Sequence, residues 1–360
     1  MQDRPMSRWL SPLMAFCLSF MLVVTLAPSL NIQFDRQLNF WALWLLSLLV
    51  LALPLGYLEI ALVRRAKTTA LNAMMSLTRD ADASPRWRLV GWLAVGFMPF
   101  LAGAILANAE HTVSSNGITL GLDAIAVAIF AVLSIVGSFI PRMWLTVVLL
   151  LGVVASLILS HLFPLQLHEW HVTPLSFNEW GNATVLALVA SGLGIGVYSQ
   201  SSLSELKQAE GISAIQLPIW IAQLLAVVAF GFFAVQSQIP ALGVLVSAIA
   251  AAALLLQLAR EQLQQRQVVI TVQWLILLLP LLIWATPAML NLFNLMLMLW
   301  GLSICLIYAV FVGWIMKISH LRKALSFSNE AIYNIWRIAI RIVLPIAILT
   351  AMVAIVMGQL

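Results

Sequence analysis

Apolar residues along this chain gather into eleven blocks of about 20, the length a helix needs to cross a bilayer core. They lie at about 9–29, 39–63, 87–107, 122–140, 143–163, 181–200, 213–236, 240–259, 268–288, 290–316 and 338–357. The polar connections between them are short, and none is long enough to form a soluble domain. The pattern predicts one all-α, polytopic membrane domain over residues 1–360. Composition agrees: 63% of residues are hydrophobic, 9% are charged, and mean hydropathy is +1.04.

One block is unlike the rest. Residues 182–200 read NATVLALVASGLGIGVYSQ, with glycines at 192, 194 and 196. Each glycine costs a helix about 1 kcal/mol relative to alanine, so three within five residues predict a break at membrane depth. Backbone groups freed there cannot face lipid. They are tolerated only against protein or a water-filled cavity, the setting in which transporters hold solutes and ions.

Charge sets the orientation. With an amino terminus in the cytoplasm and strict alternation, 17 of the 18 Lys and Arg residues fall on inner segments and only Arg36 falls outside. This positive-inside bias predicts a multi-pass protein of the cell membrane, such as a bacterial inner membrane, with its amino terminus cytoplasmic. The net charge of +5 and isoelectric point near 9.6 then reflect topology and contact with anionic lipid. No nucleic-acid partner is needed to explain them. The first span is longer than a usual signal-peptide core and is expected to remain in the protein.

Inside the spans one ionisable residue is clearly embedded, Glu59 in LPLGYLEIALVRR. An intramembrane carboxylate marks function by default. It either reaches the inner interface at Arg64 or Arg65, or accepts hydrogen bonds from the N–H groups freed between Gly192 and Gly196. Asp123 and Glu110 fall at outer ends of spans, where solvation is expected. Cys17 and Cys305 lie within spans and read as buried apolar thiols. His168 and His171 in HEWH, with His161 nearby, lack a further ligand and read as interfacial packing, so no metal or cofactor is expected. The stretch 317–341 is amphipathic and predicts a short helix in the interface ahead of the eleventh span. Phosphate-binding loops, nucleophile elbows and dinucleotide fingerprints are missing, so an enzyme is not expected.

Several segments resemble the neurotransmitter:sodium symporter family. LPLGYLEIALVRR, a basic loop and PRWRLVGWLAVGFMPFLAG are similar to its second and third helices. LSFNEWGNATVLALVASGLGIG resembles the approach to its Leu-Gly-x-Gly unwound segment, and the Asn-x6-Trp and Arg-x3-Pro patterns after residue 328 resemble the end of the family's chain. The resemblance implies a leucine-transporter fold: inverted five-helix repeats at 9–163 and 181–316, first and sixth helices broken at the midplane, and alternating access. It implies that Glu59 steadies the unwound backbone, in a structural or proton-linked role. The peptide groups of Leu193, Gly194, Ile195 and Gly196 would contact substrate. Further candidate lining residues are Thr25, Pro28, Tyr57, Asn182, Ser191, Gly192 and Gln223.

The departures from the family are equally specific. The first span, SFMLVVTLAPSLN, has no Gly-x-Gly-Asn, and only Pro28 interrupts it. The outer-gate Arg and its Asp partner are missing, and Ile105 and Leu106 fall where a substrate-contacting Tyr is expected. The eighth helix offers alanines where Thr or Ser would bind sodium, and the seventh offers Ala222 or Gln223. A hard cation needs several oxygen ligands, so the family's sodium sites read as degenerate. Two functions follow: a secondary transporter of a small organic solute, amino-acid-like or more apolar, and a non-transporting subunit of the same fold that serves a membrane-protein partner.

Overall fold

The computed structural model describes residues 9–30, 32, 37–115, 123–162, 169–207, 209, 211–234, 241–316, 319–327 and 329–359. Fourteen helices carry the architecture among the described residues: α1 (Leu10–Leu26), α2 (Leu38–Ala66), α3 (Ala70–Asp80), α4 (Leu89–Ser115), α5 (Asp123–Gly137), α6 (Arg142–Leu162), α7 (Phe177–Leu188), α8 (Val197–Ser201), α9 (Ser213–Ala229), α10 (Ala241–Gln265), α11 (Ile270–Leu282), α12 (Leu290–Val310), α13 (Ser319–Leu325) and α14 (Glu330–Gly358). Seven of them, α2, α4, α6, α9, α10, α12 and α14, are long and apolar enough to cross a membrane. Helices α1, α5 and α11 are shorter apolar helices, and α7 and α8 share the glycine-rich block. Together they account for the eleven apolar blocks of the sequence.

Close packing is set by small residues. Helix α10 runs along both α4 and α6, α1 along α9, and α7 along α14. At the α6–α10 contact two Gly-x3-Ser pairs face each other reciprocally. A Cβ at Gly243 would meet Ser156 Oγ at 2.9 Å, and one at Gly152 would strike Ser247. Both serines return their hydroxyls to their own helices, Ser156 to Gly152 O and Ser247 to Gly243 O, each at 2.8 Å. Without a water-exclusion force between helices in lipid, such close backbone approach is what holds them. Large apolar side chains point outward instead, among them Val136, Leu151, Leu275 and Val353, as a lipid-facing surface requires.

The basic residues collect at one end of the bundle. Arg64 donates to Ala209 O and Ala324 O, both at 2.9 Å, Arg65 faces Asp80 at 3.5 Å, and Arg260 donates to Ser138 O at 2.9 Å. The opposite end is tied by Asn39 to Thr173 O at 2.6 Å and by Trp180 Nε1 to Thr350 Oγ1 at 3.1 Å. Among the described residues these basic side chains are thus gathered at one end.

Two expectations are corrected. Helix α1 is not broken at its middle: it is continuous from Leu10 to Leu26 and ends in a 3-10 turn at Pro28–Leu30. The reason is compositional, since this run holds no glycine and proline lacks an N–H only at the helix's end. The amphipathic stretch 317–341 holds the expected short helix, α13, but does not all precede the eleventh span. It divides after α13, Asn329 caps the next helix by accepting from Ala331 N at 2.8 Å, and residues from Glu330 onward are the first turns of α14.

Candidate functional site

Helix α7 begins with a capping box, Ser176 accepting from Glu179 N at 3.2 Å while Glu179 accepts from Ser176 N at 2.6 Å. It ends at Leu188, and regular helix resumes only at Val197. Between them Gly192, Gly194 and Gly196 all take left-handed conformations, with φ of 66°, 85° and 74°. Residues with a Cβ lose about 1–2 kcal/mol in that region. Space adds a second demand: a Cβ at 192 would meet Tyr198 Oη at 2.9 Å, at 194 Cys305 Sγ at 2.9 Å, and at 196 the Ala70 Cβ at 2.8 Å. The break lies wholly inside protein, with every residue from 181 to 202 buried.

Its freed backbone groups find partners on four surrounding elements. Glu59, 5% exposed on α2, accepts from the N–H group of Gly194, with the N–H of Gly196 turned toward the same carboxylate. Of the two sequence readings for Glu59, this is the one adopted, and Arg64 is engaged elsewhere. Ser191 O accepts from Tyr198 Oη and from Gln223 Nε2, each at 2.9 Å. Leu193 O receives the Cys305 thiol of α12 at 3.7 Å. Leu193 N still reaches Leu188 O at 3.1 Å, a wider ring than a helix makes. Beside Glu59, Gly196, Ser199 and Tyr308 enclose a cavity of about 10 Å³, room for about one water.

Ser19 of α1 and Gln223 of α9 both approach the Tyr198 hydroxyl. The Ser19 hydroxyl and the Gln223 carbonyl oxygen are buried without good hydrogen bonds. Buried polar atoms are nearly always paired, so this corner of the break has spare capacity for a polar ligand atom. It is where α1, the break and α9 meet.

The candidate residues divide clearly. Ser191 through Gly196, Gln223 and Glu59 come together at the break. Asn182 is buried one and a half to two turns before it on α7. Thr25 lies on α1 and turns its hydroxyl back onto Met21 O at 2.8 Å within that helix. Pro28 forms the 3-10 turn that ends α1 and is only half-buried. Tyr57 faces away from the break and packs edge-on against Phe327, ring centroids 5.1 Å apart. The cause is geometric: two residues along a helix are about 200° apart, so Tyr57 and Glu59 cannot share a face. His168 and the side chain of His161 fall outside the described residues, as does Arg36.

Three participants were not assigned from the sequence: Tyr198, Cys305 and a cluster at the basic end. There Glu261 accepts from Arg142 and from Gln200 Nε2 at 2.9 Å, and Gln262 Nε2 donates to Gln200 Oε1 at 3.0 Å. Ser202 Oγ donates to Ser11 Oγ at 2.8 Å. These contacts fasten the short α8 to α1, α6 and α10. The Tyr198–Ser202 polar run was the available signal, and its amide and hydroxyls do line up on these neighbours.

Against solved structures, the chain is similar to MhsT, solved in complex with L-phenylalanine, with a TM-score of 0.62 and 15% identity over 99% of this chain and 100% of that one. No family profile and no curated protein matches the sequence. At that identity the likeness defines the fold: this is a multi-pass membrane protein with the leucine-transporter fold.

Proposed function

We propose that the protein is a secondary transporter of a small organic solute, amino-acid-like or more apolar, working by alternating access about the α7–α8 break. The observation that carries this reading is the pairing of Glu59 with Gly194 and Gly196 N–H in mid-membrane. A break costing several unmade backbone bonds has been given a dedicated carboxylate, three left-handed glycines and a polar corner with unpaired Ser19 and Gln223 oxygens. Peptide groups of residues 191–196 would hold the solute's polar end, Gln223 would orient it, and Leu193 and Ile195 supply apolar surface. Residues 9–163 and 181–316 would act as the two moving repeats.

Coupling to sodium in the family's manner is not part of this proposal. The carbonyls of α1 are used within a continuous helix beside the break, and α10 presents buried alanines from 250 to 253. Glu59, buried at the break, is the group that we assign to carry a proton through the cycle. Purified protein in proteoliposomes, offered radiolabelled small neutral amino acids with sodium, proton or no gradient, tests both points. Uptake that persists without sodium and is lost in Glu59→Gln supports the carrier reading with proton linkage. Uptake that requires sodium overturns the coupling assignment.

A second reading has its own observation. The Glu59 carboxylate and the Ser191 and Leu193 carbonyls at the break are already occupied by the protein's own groups, so the scaffold could stand as a non-transporting subunit for a membrane-protein partner. No uptake of any solute, with a stoichiometric protein partner on purification in mild detergent, would favour it.

A further inference from the structure

On the side of α2 turned away from Glu59 lies a second, much larger concavity. It is a groove of about 890 Å³ between α2, the start of α9 and α14. Two π-helical turns face it, Leu48–Ala52 in α2 and Ala339–Val343 in α14. A π turn adds one residue to its helix and displaces the wall around it, and two opposite one another account for the space. The floor is fixed by Trp336, whose Nε1 donates to Pro54 O at 3.1 Å. The walls are apolar and open to lipid: Leu49 is 48% exposed, Leu217 40%, Ile332 49% and Ile335 68%.

Polarity is confined to one end. Tyr57, Ser213 and Ser326 line the groove there, and Arg64 donates to Ser326 Oγ at 3.1 Å as well as to Ala209 O and Ala324 O. This is the basic end of the bundle. Lys207, Lys323 and Arg337 are exposed in the chain segments that neighbour Ser213 and Ser326 in sequence, while Glu330 is paired with Arg322 at 3.2 Å. The groove thus has an apolar length inside the membrane and a hydroxyl-lined end with the Arg64 guanidinium beside it.

The geometry points to a binding site for one anionic phospholipid, an acyl chain lying along Leu49, Leu53, Ile335 and Ala339 with its phosphate at the Tyr57–Ser326 corner. A spanning helix about 10–12 Å across and about 30 Å long is far larger than the groove, which suits a flexible chain instead. An apolar tail with a negative head matches both ends of the site at once. The assignment holds for a carrier and for a non-transporting subunit alike.

The test uses the full-length protein in mild detergent, with phosphatidylglycerol and phosphatidylcholine of identical acyl chains added in equal amounts, read by native mass spectrometry. Wild type should retain one phosphatidylglycerol in preference to phosphatidylcholine by at least about fivefold, the gain expected from one basic residue near an anionic headgroup. Ala339→Trp, which fills the groove, should lose it, whereas Leu349→Trp on the lipid-facing side of α14 should keep it. If Ala339→Trp does not fold, Ile335→Trp at the exposed rim serves the same purpose. The double variant Tyr57→Phe with Ser326→Ala should retain lipid with its headgroup preference reduced severalfold. Equal retention of the two lipids by wild type, or retention undiminished by filling the groove, overturns the assignment. So does a protein chain found bound in the lipid's place.

Discussion

Helices α1 and α7–α8 lie in the same membrane and meet at Ser19 and Tyr198, yet one is a rod and the other is broken. The difference lies in what each chain and its neighbours can supply. Residues 10–26 contain no glycine, and among the described residues no carboxylate bonds their backbone. Residues 189–196 have three glycines able to take positive φ, and Glu59, Tyr198, Gln223 and Cys305 stand ready to bond the freed groups. A break in lipid therefore needs two conditions at once, permissive residues and external partners. Weak helix propensity alone would leave orphaned groups, each costing several kcal/mol.

The largest effect should come from removing the partner. Glu59→Leu leaves two N–H groups buried without an acceptor and should destabilise the protein by several kcal/mol, seen as loss of folded protein in detergent thermal unfolding. Glu59→Gln keeps one acceptor oxygen without the charge and should lie between wild type and Glu59→Leu. Next is the permissive residue itself. Gly194→Ala forces a Cβ into positive φ beside Cys305, a loss of about 1–2 kcal/mol before any steric shift is added. The converse change, Val23→Gly in α1, should cost about 1 kcal/mol and leave that helix unbroken, because no carboxylate among the described residues bonds its backbone as Glu59 bonds the break. A broken α1 in Val23→Gly, followed by hydrogen exchange of its amides, would show that glycine alone is sufficient.

Smaller changes sharpen the contrast. Tyr198→Phe removes one of the two donors to Ser191 O and should cost about 1 kcal/mol. Thr25→Val removes only a hydroxyl bonded within its own helix and should stay within about 0.5 kcal/mol of wild type in urea or thermal titrations. The ordering Tyr198 above Thr25 matters more than either value. A reversal would place the polar site on α1 and not at the break.

The apolar helices, the basic end and the sixth-helix break were legible in the sequence, and the partner of Glu59 was one of the two readings it left open. Each rests on a strong local cost: apolar length, charge in lipid, glycine in a helix, or a buried carboxylate. What was not legible depends on direction and distance. Tyr57 was grouped with Glu59 by nearness in the chain, although helical rotation turns them apart. The continuity of α1 was missed because a break was carried over from a resemblance that the run LVVTL, without glycine, does not share. The partnership of Tyr198 with Ser191 spans a loop whose path only three positive φ values define. Glu261 with Arg142 joins residues more than a hundred positions apart, and no local pattern signals such a pair. The four π turns among the described residues likewise carry no mark in their apolar sequences.

The central claim is that the backbone at 189–196 leaves the helix and is held by the Glu59 carboxylate. Solid-state NMR of glycine- and valine-labelled protein in lipid reads this directly, through backbone carbon shifts and the amide shifts of Gly194 and Gly196. The account predicts non-helical carbon shifts across the segment and strongly downfield amide protons at both glycines that move upfield in Glu59→Gln. Helical shifts from Val189 through Val197, with both amides unmoved by that substitution, would contradict it.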